Sequence, residues 1–136
     1  MRILINILKK YRIYIFSTLL IAYCILLFIL TSLPGNPASQ TSQIDKLYHI
    51  VAYGLLSFIL YLLLIFQNRI QFFKKFPATF TIVLTTAFGL ANELHQIFIP
   101  TRTFNKYDLL ANLIGIIFTI GALKIFFAVN KSFDGA

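Results

Sequence analysis

Residues 44–66 read IDKLYHIVAYGLLSFILYLLLIF, and residues 78–99 read ATFTIVLTTAFGLANELHQIFI. Each is long enough to cross a hydrocarbon layer about 30 Å thick, which takes about 20 helical residues. Yet each carries groups that lipid rejects: Asp45 and His49 in the first, Glu93 and His95 in the second. With Asp108, at the start of a further apolar run, these comprise both histidines and three of the four carboxylates. A charge at the centre of a membrane helix costs about 2.5–3.5 kcal/mol on insertion scales. Groups held at that cost turn toward a helix bundle or a water-filled cavity, so they are the candidates for function.

Composition agrees with a bilayer setting. Of 136 residues, 59% are hydrophobic, 16% aromatic and only 12% charged, and the mean hydropathy is +0.84. Ordinary globular domains carry about 25% charged residues. Four runs, at about 12–33, 44–66, 78–99 and 107–128, have the length and character of membrane helices. They use the chain almost completely. The expected architecture is therefore all-α: a membrane-embedded four-helix bundle forming one domain over 1–136. The expected location is the cell membrane, as a multi-pass protein whose first partner is the lipid bilayer.

The net charge of +8 has a topological explanation. Arg2, Lys9, Lys10 and Arg12 precede the first run; Arg69, Lys74 and Lys75 lie between the second and third; Lys124 and Lys131 close the fourth. The other two connections hold Lys46, and then Arg102 with Lys106. Counts of 4, 3 and 2 on one side against 1 and 2 on the other place both termini in the cytoplasm by the positive-inside rule. No soluble basic face is left to dock nucleic acid, so that partner is excluded. Cys24, the single cysteine, allows no intrachain disulfide and reads as packing. The first run exceeds the 7–15 residues of a signal-peptide core, so it reads as an uncleaved anchor.

Local signals mark the helix ends. Pro34 and Pro37 fall in the first connection, Pro77 opens the third helix and Pro100 closes it. Ser42-Gln43-Ile44-Asp45 has capping-box spacing, and Asn105-Lys106-Tyr107-Asp108 is a looser version, so helices two and four start near Ser42 and Asn105. Polar residues then recur at helical spacing. Asp45, His49, Tyr53 and Ser57 share one face, as do Asn92, Glu93 and Gln96, and as do Asp108, Asn112, Gly115 and Thr119. Each helix thus carries a polar stripe, which a helix in lipid turns toward its neighbours. With Glu93 seven residues before the helix end expected at Pro100, it lies about 10 Å below that end. All three stripes fall in the outer leaflet.

Each candidate has a plain structural reading beside a functional one. Asp45 and Asp108 suit helix N-termini, or they hold a cation or a substrate amine. His49 makes an interhelical hydrogen bond, or Asp45 at i−4 orients it as a general base or metal ligand. Glu93 pairs with Arg102, or it is a proton relay, a catalytic acid–base or a ligand-binding group. Arg102 is a topology charge, or it clamps a phosphate or carboxylate at two points. His95 points to the first helix or to headgroups. Lys46 and Lys106 snorkel, Tyr53 fills core or donates to the site, and Gly115 with Ala111 and Ala87 with Ala91 let helices three and four approach. A metal held by Asp45, His49, Glu93 and Asp108 is the weakest option, and no cofactor is specified. The three carboxylates also match Lys46, Arg102 and Lys106 in charge, so a self-neutralised network needing no ligand stays open.

The ordered set Asp45-Lys46-x-x-His49-x-x-x-Tyr53, Glu93-x-His95-Gln96, Pro100-x-Arg102, Asp108 and Asn112-x-x-Gly115 resembles the VanZ-like family of small polytopic membrane proteins. The resemblance spans about residues 17–123. It implies a bacterial envelope protein associated with decreased susceptibility to teicoplanin, in a family without an established reaction. Family members commonly carry an acidic residue at the position of Asn92, which argues against a pair of adjacent carboxylates here. They carry glycine at the position of Thr101, so Thr101 is expected to stiffen the turn before Arg102.

Two principal functions follow as expectations. In the first, the outward site binds a lipid-linked cell-wall precursor, an amphiphilic antibiotic such as a glycopeptide, or another membrane protein, through Asp45, Tyr53, Gln96, Arg102, Asp108 and Asn112. In the second, a membrane hydrolase or transferase acts on a lipid-linked phosphate or ester, with His49 and Glu93 as catalytic acid and base. A proton-coupled transporter is a third reading, but no broken helix marks a midplane site. The oligomeric state is not encoded in any recognisable pattern.

Overall fold

The computed structural model describes residues 2–35 and 42–133, with side chains described over 11–35 and 42–130. It is 84% helical, with no strand among the described residues. Among the described residues five helices follow one another: α1 (Arg2–Ser32), α2 (Gln43–Phe66), α3 (Gln71–Lys75), α4 (Pro77–Gln96) and α5 (Lys106–Phe133). Four were expected. The addition is α3, a five-residue turn of helix too short to cross anything. Pro37 and most of the first connection lie outside the described residues.

The end signals act as their chemistry requires. Ser42 is the N-cap of α2, its hydroxyl accepting from the Asp45 backbone N–H at 3.1 Å. Asn105 caps α5 by accepting from Tyr107 N–H at 3.0 Å. At the far end of α2, Gln67 bridges to Ile70 through both its amide groups, at 2.8 and 2.9 Å. Pro77 occupies the first turn of α4, where its missing N–H is harmless.

The end of α4 differs from expectation. Helical bonding stops at Gln96, and tighter bonds from Phe98 to His95 and from Ile99 to Gln96, both 3.0 Å, carry the chain into a turn. Pro100 therefore closes a turn rather than the helix. Glu93 lies three residues from the helix end, about 4.5 Å along the axis, so it is shallower than anticipated.

Among the described residues, three helices are long and apolar enough to cross a membrane: Tyr11–Ser32, Gln43–Phe66 and Lys106–Asn130. The sequence expectation was four. Thr79, Thr81, Thr85, Thr86, Asn92, Glu93 and Gln96 dilute α4, and the structure shows how five of them are accommodated. Thr81, Thr85, Asn92, Glu93 and Gln96 are buried. Thr81 and Thr85 donate to the carbonyls of Pro77 and Thr81, at 2.8 and 2.6 Å. Ser57 does the same to Tyr53 on α2, at 2.8 Å. A hydroxyl satisfied by its own helix can face a core without an outside partner.

Helix α2 is the centre and touches all four others. Its crossing with α5 is the closest: a Cβ on Gly115 would run into the Ile50 carbonyl. Gly115 thus brings α5 against α2, correcting the expected α4–α5 role. Ala87 and Ala91 lie on the exposed face of α4, so they mediate no such approach within the chain. Gly89 opens space where a Cβ would lie 3.0 Å from the Tyr53 ring and 3.1 Å from Asn112 Nδ2. The core below contains Leu27, Tyr53, Leu56, Tyr61, Ile116, Ile120 and Leu123. Outward faces are apolar, with Phe98, Phe118 and Tyr48 prominent, which suits hydrocarbon and not water. Helix α1 is peripheral: Leu27 is its one fully buried side chain among those described.

Candidate functional site

The C-terminal ends of α1 and α4 and the N-terminal ends of α2 and α5 meet at one end of the molecule. Their polar side chains form two connected groups. In the first, Lys46 Nζ donates to Asp45 Oδ2 at 2.9 Å and to Asp108 Oδ1, bridging α2 and α5. His49 donates Nδ1–H to Asn112 Oδ1 at 2.9 Å, and its Nε2 lies 3.6 Å from Asp108 Oδ2. The partners that orient His49 therefore come from α5, where Asp45 was expected. Asp108 serves the cross-helix network with its carboxylate, rather than capping its own helix.

Lys46 overturns its own expectation most clearly. It does not snorkel; it is the cation of the cluster. One donor atom each from Asp45, His49 and Asp108 can lie within 4.8 Å of one another, but the Lys46 ammonium already bridges the two carboxylates. Glu93 stands outside that group. The set thus fits a resident ammonium better than a metal ion with the four ligands proposed from sequence.

Glu93 is 1% exposed and accepts from the Asn105 backbone N–H at 3.2 Å. That bond ties α4 to the start of α5. The expected Glu93–Arg102 pair is not among the ion pairs of the described residues. Arg102 instead donates Nε–H to the Leu33 carbonyl at 3.1 Å, and Thr101 donates its hydroxyl to Gly35 at 2.6 Å. These two bonds fasten the α4–α5 turn to the connection after α1. Thr101 has φ 67°, the left-handed region that glycine adopts readily.

Tyr53 is both core and hydrogen-bonding group: it is 3% exposed, and its hydroxyl accepts from Asn92 Nδ2 at 3.1 Å. Asn92 thereby takes a structural place, consistent with a neutral residue there. His95 turns to α1, as one of its readings held. Its ring stacks on Phe28 at 4.8 Å, and its Nε2 meets Ser32 Oγ at 3.1 Å. The Ser32 proton is engaged by the Phe28 carbonyl at 2.7 Å, so His95 is the donor to Ser32.

Beside this cluster lies a cavity of about 390 Å³ between α1 and α2, closed at its end by Gln96 and Arg102. Tyr23, Leu26, Leu27 and Leu30 form an apolar wall, and Asp45, His49 and Tyr53 face it from α2. Five of the eight candidates therefore converge on one space: Asp45, His49, Tyr53, Gln96 and Arg102. Asp108 and Asn112 stand behind His49, and Glu93 belongs to the α4–α5 joint. Lys46, Asn92 and Asn105 were missed as site-building residues. A lysine between two carboxylate-bearing helix starts, and an asparagine at a cap position, were the signals available.

The family model described as VanZ/LLP1 matches residues 5–127, nearly the whole chain. The chain belongs to the VanZ/LLP1 family. No curated protein and no solved structure matches it. As a VanZ-like membrane protein, it carries a cluster of polar residues at one end of an apolar helical molecule.

Proposed function

We propose that this VanZ-like protein is a non-enzymatic binding protein of the bacterial cell membrane, whose polar site opens on the outer side. Its single domain spans the bilayer with α1, α2, α4 and α5 as a four-helix bundle, both termini being cytoplasmic. The ligand is lipid-linked, such as a cell-wall precursor, and its capture lowers susceptibility to glycopeptides such as teicoplanin.

The observation that carries this reading is the cavity between α1 and α2, apolar along one wall and polar at its end. Its volume of about 390 Å³ falls within the range of small-ligand sites. It is too small to enclose a whole glycopeptide, which favours the lipid-linked ligand over the antibiotic itself. Binding also suits the polar cluster better than acid–base work by Glu93, because Glu93 is engaged by Asn105 and does not line the cavity.

The test is expression in a teicoplanin-sensitive bacterium, beside Leu30→Trp, which narrows the cavity from an exposed lining position. The wild-type chain should lower susceptibility, and the variant should lose that effect at equal membrane levels. Full protection by Leu30→Trp would remove the cavity from the account.

A second reading, a small hydrolase or transferase acting on a lipid-linked phosphate or ester, draws on one geometric fact. His49, a residue type suited to acid–base work, lines the cavity beside the Lys46–Asp108 pair. Profiling lipids and cell-wall precursors with and without the gene separates the two. A converted precursor selects the enzyme, and an unconverted pool selects binding.

A further inference from the structure

Gln96 is 3% exposed, lines the cavity, and has no hydrogen-bond partner for its Nε2. A buried amide donor without an acceptor is destabilising, and native proteins keep few of them. The side chain lines the polar part of an otherwise apolar pocket, so a half-turn about its terminal amide bond presents the unused donor to an acceptor on a ligand there. Arg102 lines the same end. Its Nε is used by Leu33, while its two terminal nitrogens make no hydrogen bond among the described residues. An amide donor and a guanidinium edge, from two different elements, together match an oxyanion with several acceptor oxygens.

The opposite wall has different chemistry. Leu26, Leu27 and Leu30 form a strip along α1, and Val51 and Ala52 continue it on α2. Leu26, Leu30, Tyr48 and Val51 are also exposed on the outer surface, so the cavity opens sideways through the α1–α2 seam. All four long helices end near the polar end of the cavity, the level at which lipid headgroups meet a membrane protein. The ligand that satisfies both walls is an amphiphile already in the bilayer.

Building on the binding reading above, we propose that the cavity admits a phosphate-bearing, single-chain lipid moiety sideways between α1 and α2. Its phosphate oxygens accept from Gln96 Nε2 and the Arg102 guanidinium, and its hydrocarbon chain lies along Leu26, Leu27 and Leu30. Lys46 pairs with Asp45 at the mouth, which offsets part of the repulsion that an anion would meet there.

The experiment measures binding to the full chain in detergent micelles. The probes are oleoyl lysophosphatidic acid, monoolein, oleate and inorganic phosphate, so that chain, carboxylate and phosphate are separated. Lysophosphatidic acid should bind best, and Gln96→Leu and Arg102→Gln should each weaken it about tenfold or more. Gln96→Leu should also raise the unliganded melting temperature, since it removes the unsatisfied donor; a purely structural glutamine would lower it. Gln96→Glu supplies a second variant, with the donor replaced by a repelling carboxylate, and should abolish binding. Equal binding of monoolein or oleate overturns the phosphate assignment while leaving a lipid-binding protein. Inorganic phosphate competing at matched concentration overturns the amphiphile. Absence of binding by all three oleoyl probes, with wild-type protein folded, overturns the binding reading with it.

Discussion

Thr101 keeps a β-branched side chain at φ 67°, a conformation that costs about 1–2 kcal/mol for an L-residue other than glycine. What offsets it is the hydroxyl bond to Gly35, worth about 0.5–1.5 kcal/mol. Thr101→Gly exchanges one for the other and should change stability by less than about 1 kcal/mol. Thr101→Val keeps the strain, loses the bond, and should destabilise by about 1 kcal/mol. Reversible unfolding in micelles compares them; a valine variant as stable as the glycine variant would deny the hydroxyl its anchoring role. The two carboxylates on Lys46 are also unequal. The Asp108 side chain is 6% exposed and that of Asp45 20%. Asp108→Ala leaves the half-buried Lys46 ammonium with Asp45 alone and should cost about 1.5–3 kcal/mol. Asp45→Ala should cost no more than about 1 kcal/mol. Equal losses would mean that Lys46 does not prefer the α5 partner.

At the scale of elements, the α2–α5 crossing depends on a missing side chain. Gly115→Ala sets a methyl against the Ile50 backbone, which cannot yield as a flexible side chain would, and should destabilise by about 1–3 kcal/mol. Gly121 on the same helix has open space around it, so Gly121→Ala should be neutral or gain about 0.5–1 kcal/mol. The pair, measured together, separates crowding from helix propensity. This is also where sequence reading reaches its limit. Ser42 and Asn105 announce two helix starts by side-chain chemistry confined to four residues, and both starts were legible. Gly115 announces a close approach, but not to which neighbour, because partner choice depends on how helices pack in three dimensions. The helical stripes likewise placed Asp45, His49 and Tyr53 on one face. They did not reveal that Asn112 and Asp108 orient His49, since a one-helix pattern carries no information on azimuth relative to another helix. Lys46 was misread for the same reason: a lysine near a helix end snorkels unless a carboxylate from an adjoining helix joins the one beside it.

For the molecule as a whole, apolar content and length announced helices in a membrane, and composition alone could not show that α4 is the exception. Two of its threonines, Thr81 and Thr85, hide from lipid by bonding to their own backbone and facing inward, an outcome that an averaged hydropathy counts as unfavourable. The proposed orientation puts Arg102 outside and Asn68, between α2 and α3, in the cytoplasm. In a Cys24→Ser background, Arg102→Cys should react with an impermeant maleimide added to intact cells, and Asn68→Cys only after lysis. Reversed labelling would place the polar end in the cytoplasm and would remove any direct part in cell-surface chemistry.

The Lys46–Asp108 bridge joins positions 62 residues apart, and this has a bearing on how the chain is made. At about 5–20 residues per second, the ribosome delivers the lysine roughly 3–12 s before its aspartate. During that interval the nascent hairpin of α1 and α2 holds an ammonium with Asp45 as its nearby counter-ion, and with no wall from α5. Arrival of the last helix then acts as a latch, so a chain stalled before Asp108 would display an unfinished charge to the quality-control proteases of the membrane.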